Sequence, residues 1–186
     1  MTREEWLLAL VAALEEQFMD AGLKPGAVDV SIGYTSAGLR SNRIGECWHA
    51  DASTTKRCTI FIHPKLAVAD VAHVLLHELI HATLGPGKKH GREFKAIAVA
   101  CGLEGRMTAT VASEQLKLEL DDLLAKMPAY PGGQLVGGGG QTETPKQTTR
   151  MVKLSCSCCG YTVRTTQKWI DEGLPICPQG TEMERA

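Results

Sequence analysis

The chain has 186 residues, 44% of them hydrophobic, and a formal net charge of -1. That leaves room for one domain of ordinary size plus a small module, and it excludes a protein that binds nucleic acid through its overall field, so only local basic patches remain for that purpose. The apolar run from Trp6 to Leu14 has acids on both sides and no cleavage-like site, and it is too short to cross a bilayer, so neither a secretory signal nor a membrane span is expected.

Thr2 and Glu5 form a capping box ahead of an apolar stripe of Trp6, Leu7, Leu10, Val11, Leu14 and Phe18, which predicts an amphipathic helix over residues 3–20. Val28, Val30, Ile32 and Tyr34 then alternate with polar or small residues, the period of a half-buried strand. A second strand is expected over Ile44 to His49 and a third over Cys58 to Ile62, with a turn at Asp51 to Lys56 between them. The three are expected to share one antiparallel sheet. Val68 to Leu84 reads as a helix that is apolar almost all round, hence buried, and Gly85-Pro86-Gly87 ends it. Phe94, Ile97, Ala98 and Cys101 have helical spacing up to Gly102, and Ser113 is placed to cap a last helix carrying Leu116, Leu120, Leu123, Leu124 and Met127.

Within the buried helix stands His77-Glu78-Leu79-Ile80-His81, with His90 nine residues further on. Positions i and i+4 lie one turn apart on one side of a helix, so both imidazoles can reach one ion, and the loop can bring in His90 as a third ligand. Three protein ligands leave a fourth tetrahedral position for water, the pattern of a catalytic zinc, and Glu78 is the candidate general base. His73 also lies four residues from His77, but only the His77/His81 pair encloses a glutamate, so His73 is read as packing or capping.

From Met127 to Arg150 the composition turns to Pro, Gly, Gln and Thr without apolar periodicity, which reads as a flexible linker. The remainder, residues 151–186, is too small for a core of its own without a metal or similar staple. Of the seven cysteines, four lie there: Cys156, Cys158, Cys159 and Cys177. Cys156-x-x-Cys159-Gly160 has the form of a zinc knuckle and Cys177 supplies a third thiolate, while Gln179 stands where a fourth is expected. Cys158 is the candidate to complete a structural zinc site; the alternative is a metal-free ribbon. Cys47, Cys58 and Cys101 read as buried thiols, and the cysteine usage as a whole points to a reducing, cytoplasmic compartment. Between Lys146 and Ile170 stand Lys146, Arg150, Lys153, Arg164 and Lys168 with no acid, and Tyr161 and Trp169 can stack on bases, so DNA is an expected partner of this module. The alternative is a solvated basic surface. Lys88, Lys89 and Arg92 flank His90 as further candidate phosphate contacts.

On His77-Glu78-Leu79-Ile80-His81-Ala82, on His90-Gly91 with Phe94, on Ile60-Phe61-Ile62 before Pro64, and on the ribbon from Cys156 to Trp169, the chain resembles the SprT-like zinc metalloproteases, which include the Spartan-type proteases of DNA-crosslinked proteins. The resemblance covers most of the chain from about Ile44 onward, and its ribbon looks like that of short members of actinobacteria and their phages. It implies an α+β, zincin-like metalloprotease domain at 1–126, a linker at 127–150 and a zinc-ribbon-like β module at 151–186. It further implies His77, His81 and His90 as ligands of a catalytic Zn2+, Glu78 as acid/base, and hydrolysis of DNA-associated proteins. No small-molecule cofactor and no membrane partner are expected. Lys153, Arg164, Lys168 and Trp169 are the residues assigned to nucleic acid, and Tyr34, Tyr130 and Arg92 are equal candidates to steady the oxyanion. Two rivals are a nucleic-acid-binding adaptor with a non-catalytic zinc centre and a hydrolase of small amides.

Overall fold

A computed structural model describes residues 1–38, 42–136 and 150–186. The chain divides into two compact units, Met1–Gly138 and Gly139–Ala186. Each is a mixture of helices and small sheets.

In the first unit the capping box forms as the sequence predicts, with Thr2 Oγ1 accepting from the Glu5 amide and the Glu5 carboxylate from the Thr2 amide. It opens α1 (Arg3–Phe18), which buries Trp6, Leu7, Leu10, Val11, Leu14 and Phe18. Three strands follow, β1 (Val28–Ile32), β2 (Gly45–Trp48) and β3 (Cys58–Ile62), in the spatial order β1-β3-β2. The sheet is mixed rather than antiparallel. β2 pairs antiparallel with β3, Cys47 opposite Ile60, but β1 pairs parallel with β3, Val30 opposite Ile60. Alternation reports which face of a strand is buried and says nothing of its direction or neighbour. β1 and β2 flank β3 on opposite sides, and β2 is an edge of the sheet.

α2 (Val68–Leu84) is the centre of the unit: α1, α3 (Arg92–Ala100), α4 (Glu114–Lys126), β2 and β3 all pack on it. Its all-round apolar sequence requires such a cover, and Val71, Leu75, Leu76, Leu79 and Ile80 are essentially fully buried. Gly85 ends the helix at φ 74° and Gly87 follows at φ 81°, left-handed conformations that L-residues with a Cβ resist. This double turn reverses the chain and returns His90 to the helix it has just left.

A hairpin of β4 (Leu103–Arg106) and β5 (Ala109–Ala112) precedes α4 and was not legible beforehand. Its strands are four residues long, one contains Gly105, and most of their side chains are exposed, so neither periodicity nor hydrophobicity marks them. The stretch read as linker also needs correction at its start. Trp6 Nε1 donates to the Pro128 carbonyl (2.7 Å), the Tyr130 ring meets that of Trp6 edge-on at 4.9 Å, and Leu135 N–H donates to the Pro64 carbonyl (2.8 Å). Those contacts tie the segment to the first unit despite its loop-like composition, because they use backbone carbonyls and one aromatic ring and need no apolar period. Residues 137–149, including Lys146, lie outside the described residues.

The second unit is a sheet in the order β7-β6-β8, built from β6 (Met151–Ser155), β7 (Thr162–Thr166) and β8 (Glu184–Arg185), with the short α5 (Gln167–Glu172). Its buried centre is Leu154, Cys156, Cys177 and Met183. Two of those four are cysteines, so the apolar core is minimal.

Candidate metal centre and active-site cleft

α2 presents His77 and His81 one turn apart, with ring centroids at 5.1 Å. His90 closes the group: its Nε2 lies 3.2 Å from Nε2 of His77 and 3.1 Å from Nε2 of His81. The Phe94 ring, fully buried on α3, packs against all three imidazoles at 4.6–4.9 Å and limits their rotation. From the hairpin, Thr110 Oγ1 lies 2.8 Å from His77 Nδ1. With Nδ1–H donating to that hydroxyl, the Nε2 lone pair faces His81 and His90.

These nitrogens fit a metal. A tetrahedral ion with Zn–N bonds of about 2.0–2.1 Å separates its nitrogens by about 3.3–3.4 Å, close to the distances above. Three imidazole nitrogens so near one another repel unless a cation lies between them. Their protonation state also suits a metal. Burial first, then the neighbouring His81, His90 and His73, pull His77 down to about 3. Burial, with His90 and His49, pulls His81 down to about 4. His90 is lowered as well, by burial. All three are therefore neutral, as ligands must be, across the physiological range.

Glu78 points toward the sheet side of the same cleft and is 7% exposed. Burial, and then the nearby Glu46, raise its pKa to about 8, opposed by Arg43 and by the Cys47 backbone N–H, which donates to the carboxylate. β2 presses close here. A Cβ at Gly45 would stand 2.5 Å from Glu78 Oε1 and 2.8 Å from Val74 Cγ1. Gly45 has no positive φ, so it is glycine for room and not for backbone conformation. The cleft encloses about 650 Å³ between β2 and the β4-β5 hairpin, with the three histidines and Glu78 on its floor and Lys88 and Lys89 among its walls.

Of the other residues singled out in the sequence, His73 lines the cleft but is not one of the three convergent rings. Tyr34, Tyr130 and Arg92 do not line it. Tyr34 meets His63 edge-on at 5.4 Å and Tyr130 meets Trp6. Phe94's contact with every ring, Thr110 and Gly45 are the features sequence reasoning missed. Only Phe94 carried a signal, four residues after His90.

In the second unit the Sγ atoms of Cys156, Cys158, Cys159 and Cys177 all lie within 4.8 Å of one another, a group that could hold a metal ion, and Gln179 Oε1 lies 3.8 Å from the Cys158 sulfur. Cys158 and Cys177 are 3.8 Å apart, about the separation expected for Zn–S bonds of roughly 2.3 Å. Backbone amides aim at the sulfurs: Cys158 N–H at Cys156 and Thr181 N–H at Cys177, each at 3.4 Å. Although burial opposes it, the amides of Thr181 and Gln179 bring the Cys177 thiol down to about 6, favouring the thiolate a metal requires. Lys153 and Arg164 are directly opposite one another on β6 and β7, both exposed, and Lys168 lies over the Trp169 ring at 5.1 Å.

The family model of the SprT-like family matches residues 8–113, more than half of the chain. The chain belongs to the SprT-like family. The match begins within α1, well before Ile44, and takes in the sheet, all three histidines, Glu78 and the hairpin; the cysteine-bearing unit lies outside it. This SprT-like protein finds no match among curated proteins. Family membership associates it with metallopeptidase-type activity, and its histidine and cysteine groups can hold metal ions. No helix among the described residues is long and apolar enough to cross a membrane.

Proposed function

We propose that this SprT-like protein is a zinc-dependent endopeptidase of zincin-like fold that cuts DNA-associated proteins in the cytoplasm, with the nucleoid as its natural place of work. The reading is carried by one observation: three neutral imidazole nitrogens converge on a point beside a buried glutamate in an open cleft. His77, His81 and His90 hold the ion. When bound, zinc supplies Lewis acidity toward the scissile carbonyl and a lowered pKa for the attacking water.

Glu78 accepts the proton of that water and delivers it to the leaving amine nitrogen. Burial raises the free carboxyl to about 8, and a cation held by the neighbouring histidines would lower it again, so that Glu78 meets the water ionised. The scissile chain lies extended along β2, whose outer edge has no strand partner among the described residues, so main-chain hydrogen bonds bind it with little regard to sequence. Lys153, Arg164, Lys168 and Trp169, which is 60% exposed, serve as a sequence-independent DNA contact. In the second unit, Cys156, Cys158, Cys159 and Cys177 hold a structural zinc.

The test compares wild type with Glu78→Gln on a protein substrate, free and bound to DNA. The wild type cleaves, and faster with DNA present. The variant keeps its metal and loses roughly 10²–10⁴ in rate. A variant as active as wild type would make the centre non-catalytic and the protein an adaptor.

A further inference from the structure

A second group of metal-binding side chains stands on the sheet. Cys47, His49 and Cys58 have their ligand atoms within 4.8 Å of one another. β2 and β3 pair antiparallel with Trp48 opposite Thr59, and the same register carried one residue further sets His49 opposite Cys58, with Cys47 two residues along on the same face. Nδ1 of His49 is buried and has no hydrogen-bond partner among the described residues. Cys47 and His49 both line the cleft, so an ion can reach them from solvent. Two thiols and an imidazole with an orphaned nitrogen, on adjacent strands and at the wall of an open cleft, are more than a pair of buried core cysteines requires.

We infer that Cys47, His49 and Cys58 form a second metal site in the first unit, selective for a borderline or soft ion such as Zn2+ or Cd2+. Two sulfurs and one nitrogen suit such ions rather than magnesium or calcium. Three protein ligands leave the fourth vertex open to the cleft. Loading breaks two S–H bonds, forms two metal–sulfur bonds and one metal–nitrogen bond, and releases two protons to solvent. The site is distinct from the three-histidine centre, because it shares no ligand with it.

The experiment titrates cadmium into the full-length protein, following the sulfur-to-cadmium charge-transfer absorption and the cadmium NMR spectrum, for wild type, Cys58→Ser and His49→Ala. Wild type is expected to show a cadmium resonance of mixed sulfur and nitrogen ligation beside the all-sulfur one, and to bind one more equivalent than Cys58→Ser. The charge-transfer amplitude at saturation falls by about a third in Cys58→Ser if both its thiolate bonds are lost from a total that includes the four ribbon sulfurs. His49 is half-buried and can be truncated without opening the core. Its variant binds this equivalent at least tenfold more weakly and keeps the others. Equal stoichiometry and amplitude in all three proteins, or no mixed-ligand resonance in wild type, would overturn the site. Neither result would touch the three-histidine centre, whose nitrogen-only resonance is read separately.

Discussion

Gly45→Ala isolates what the sheet does for the candidate general base. The new methyl group would stand 2.5 Å from Glu78 Oε1, where ordinary contact begins near 3.4 Å, and 2.8 Å from Val74 Cγ1, which blocks retreat along the helix. The carboxylate must therefore shift by about 0.9 Å. A misplacement of about 1 Å costs on the order of 10² in rate, or about 2.7 kcal/mol of transition-state stabilisation. Forcing a methyl into packed surroundings also costs stability, by about 1–3 kcal/mol, so the assay belongs well below the melting temperature. The readouts are kcat/KM on a protein substrate and bound zinc in the same preparation. The expected result is a loss of about 10² with zinc content unchanged, since the three imidazoles do not touch Gly45. Activity within about threefold of wild type, or activity and zinc falling in parallel, would refute the claim that β2 positions Glu78.

Thr110→Val removes the acceptor of the His77 Nδ1 hydrogen and should weaken zinc binding about 10- to 100-fold; a chelator competition that shows no change would mean the hydroxyl does not orient the ring. In the metal-free protein two opposed proton linkages meet near the ordinary histidine pKa of about 6.5. Below that value His77 and His81, depressed to about 3 and 4, take up more protons unfolded than folded, so stability falls with acidification. Above it Glu78, raised to about 8, holds its proton in the fold and releases it on unfolding, so stability also falls as the pH rises toward 8. Thermal melts of chelator-treated protein check this, and a stability that climbs steadily through pH 8 would contradict it. Cys158→Ser should lower bound zinc by one equivalent per chain while hydrolysis of a free peptide continues; unchanged stoichiometry would leave Gln179 or a water as the fourth ligand.

What was legible in the sequence was local. The Thr2/Glu5 box, the all-round apolar run of Val68–Leu84, the i, i+4 spacing of His77 and His81, and the glycines that reverse the chain are each written within about twenty residues, where helix period and turn chemistry act directly. Tertiary structure alone decided what surrounds them. β1 pairs parallel with β3, on the side opposite β2. The β4-β5 hairpin brought Thr110 behind His77, although its short exposed strands carry no apolar signal. β2 delivered Gly45 and the Cys47 amide to Glu78 and set Cys47 and His49 across from Cys58, and residues 128–135 folded back onto Trp6 and Pro64. In each case the partner is distant in sequence, and the bond is to a backbone group or depends on available space, quantities for which a residue's identity has no code.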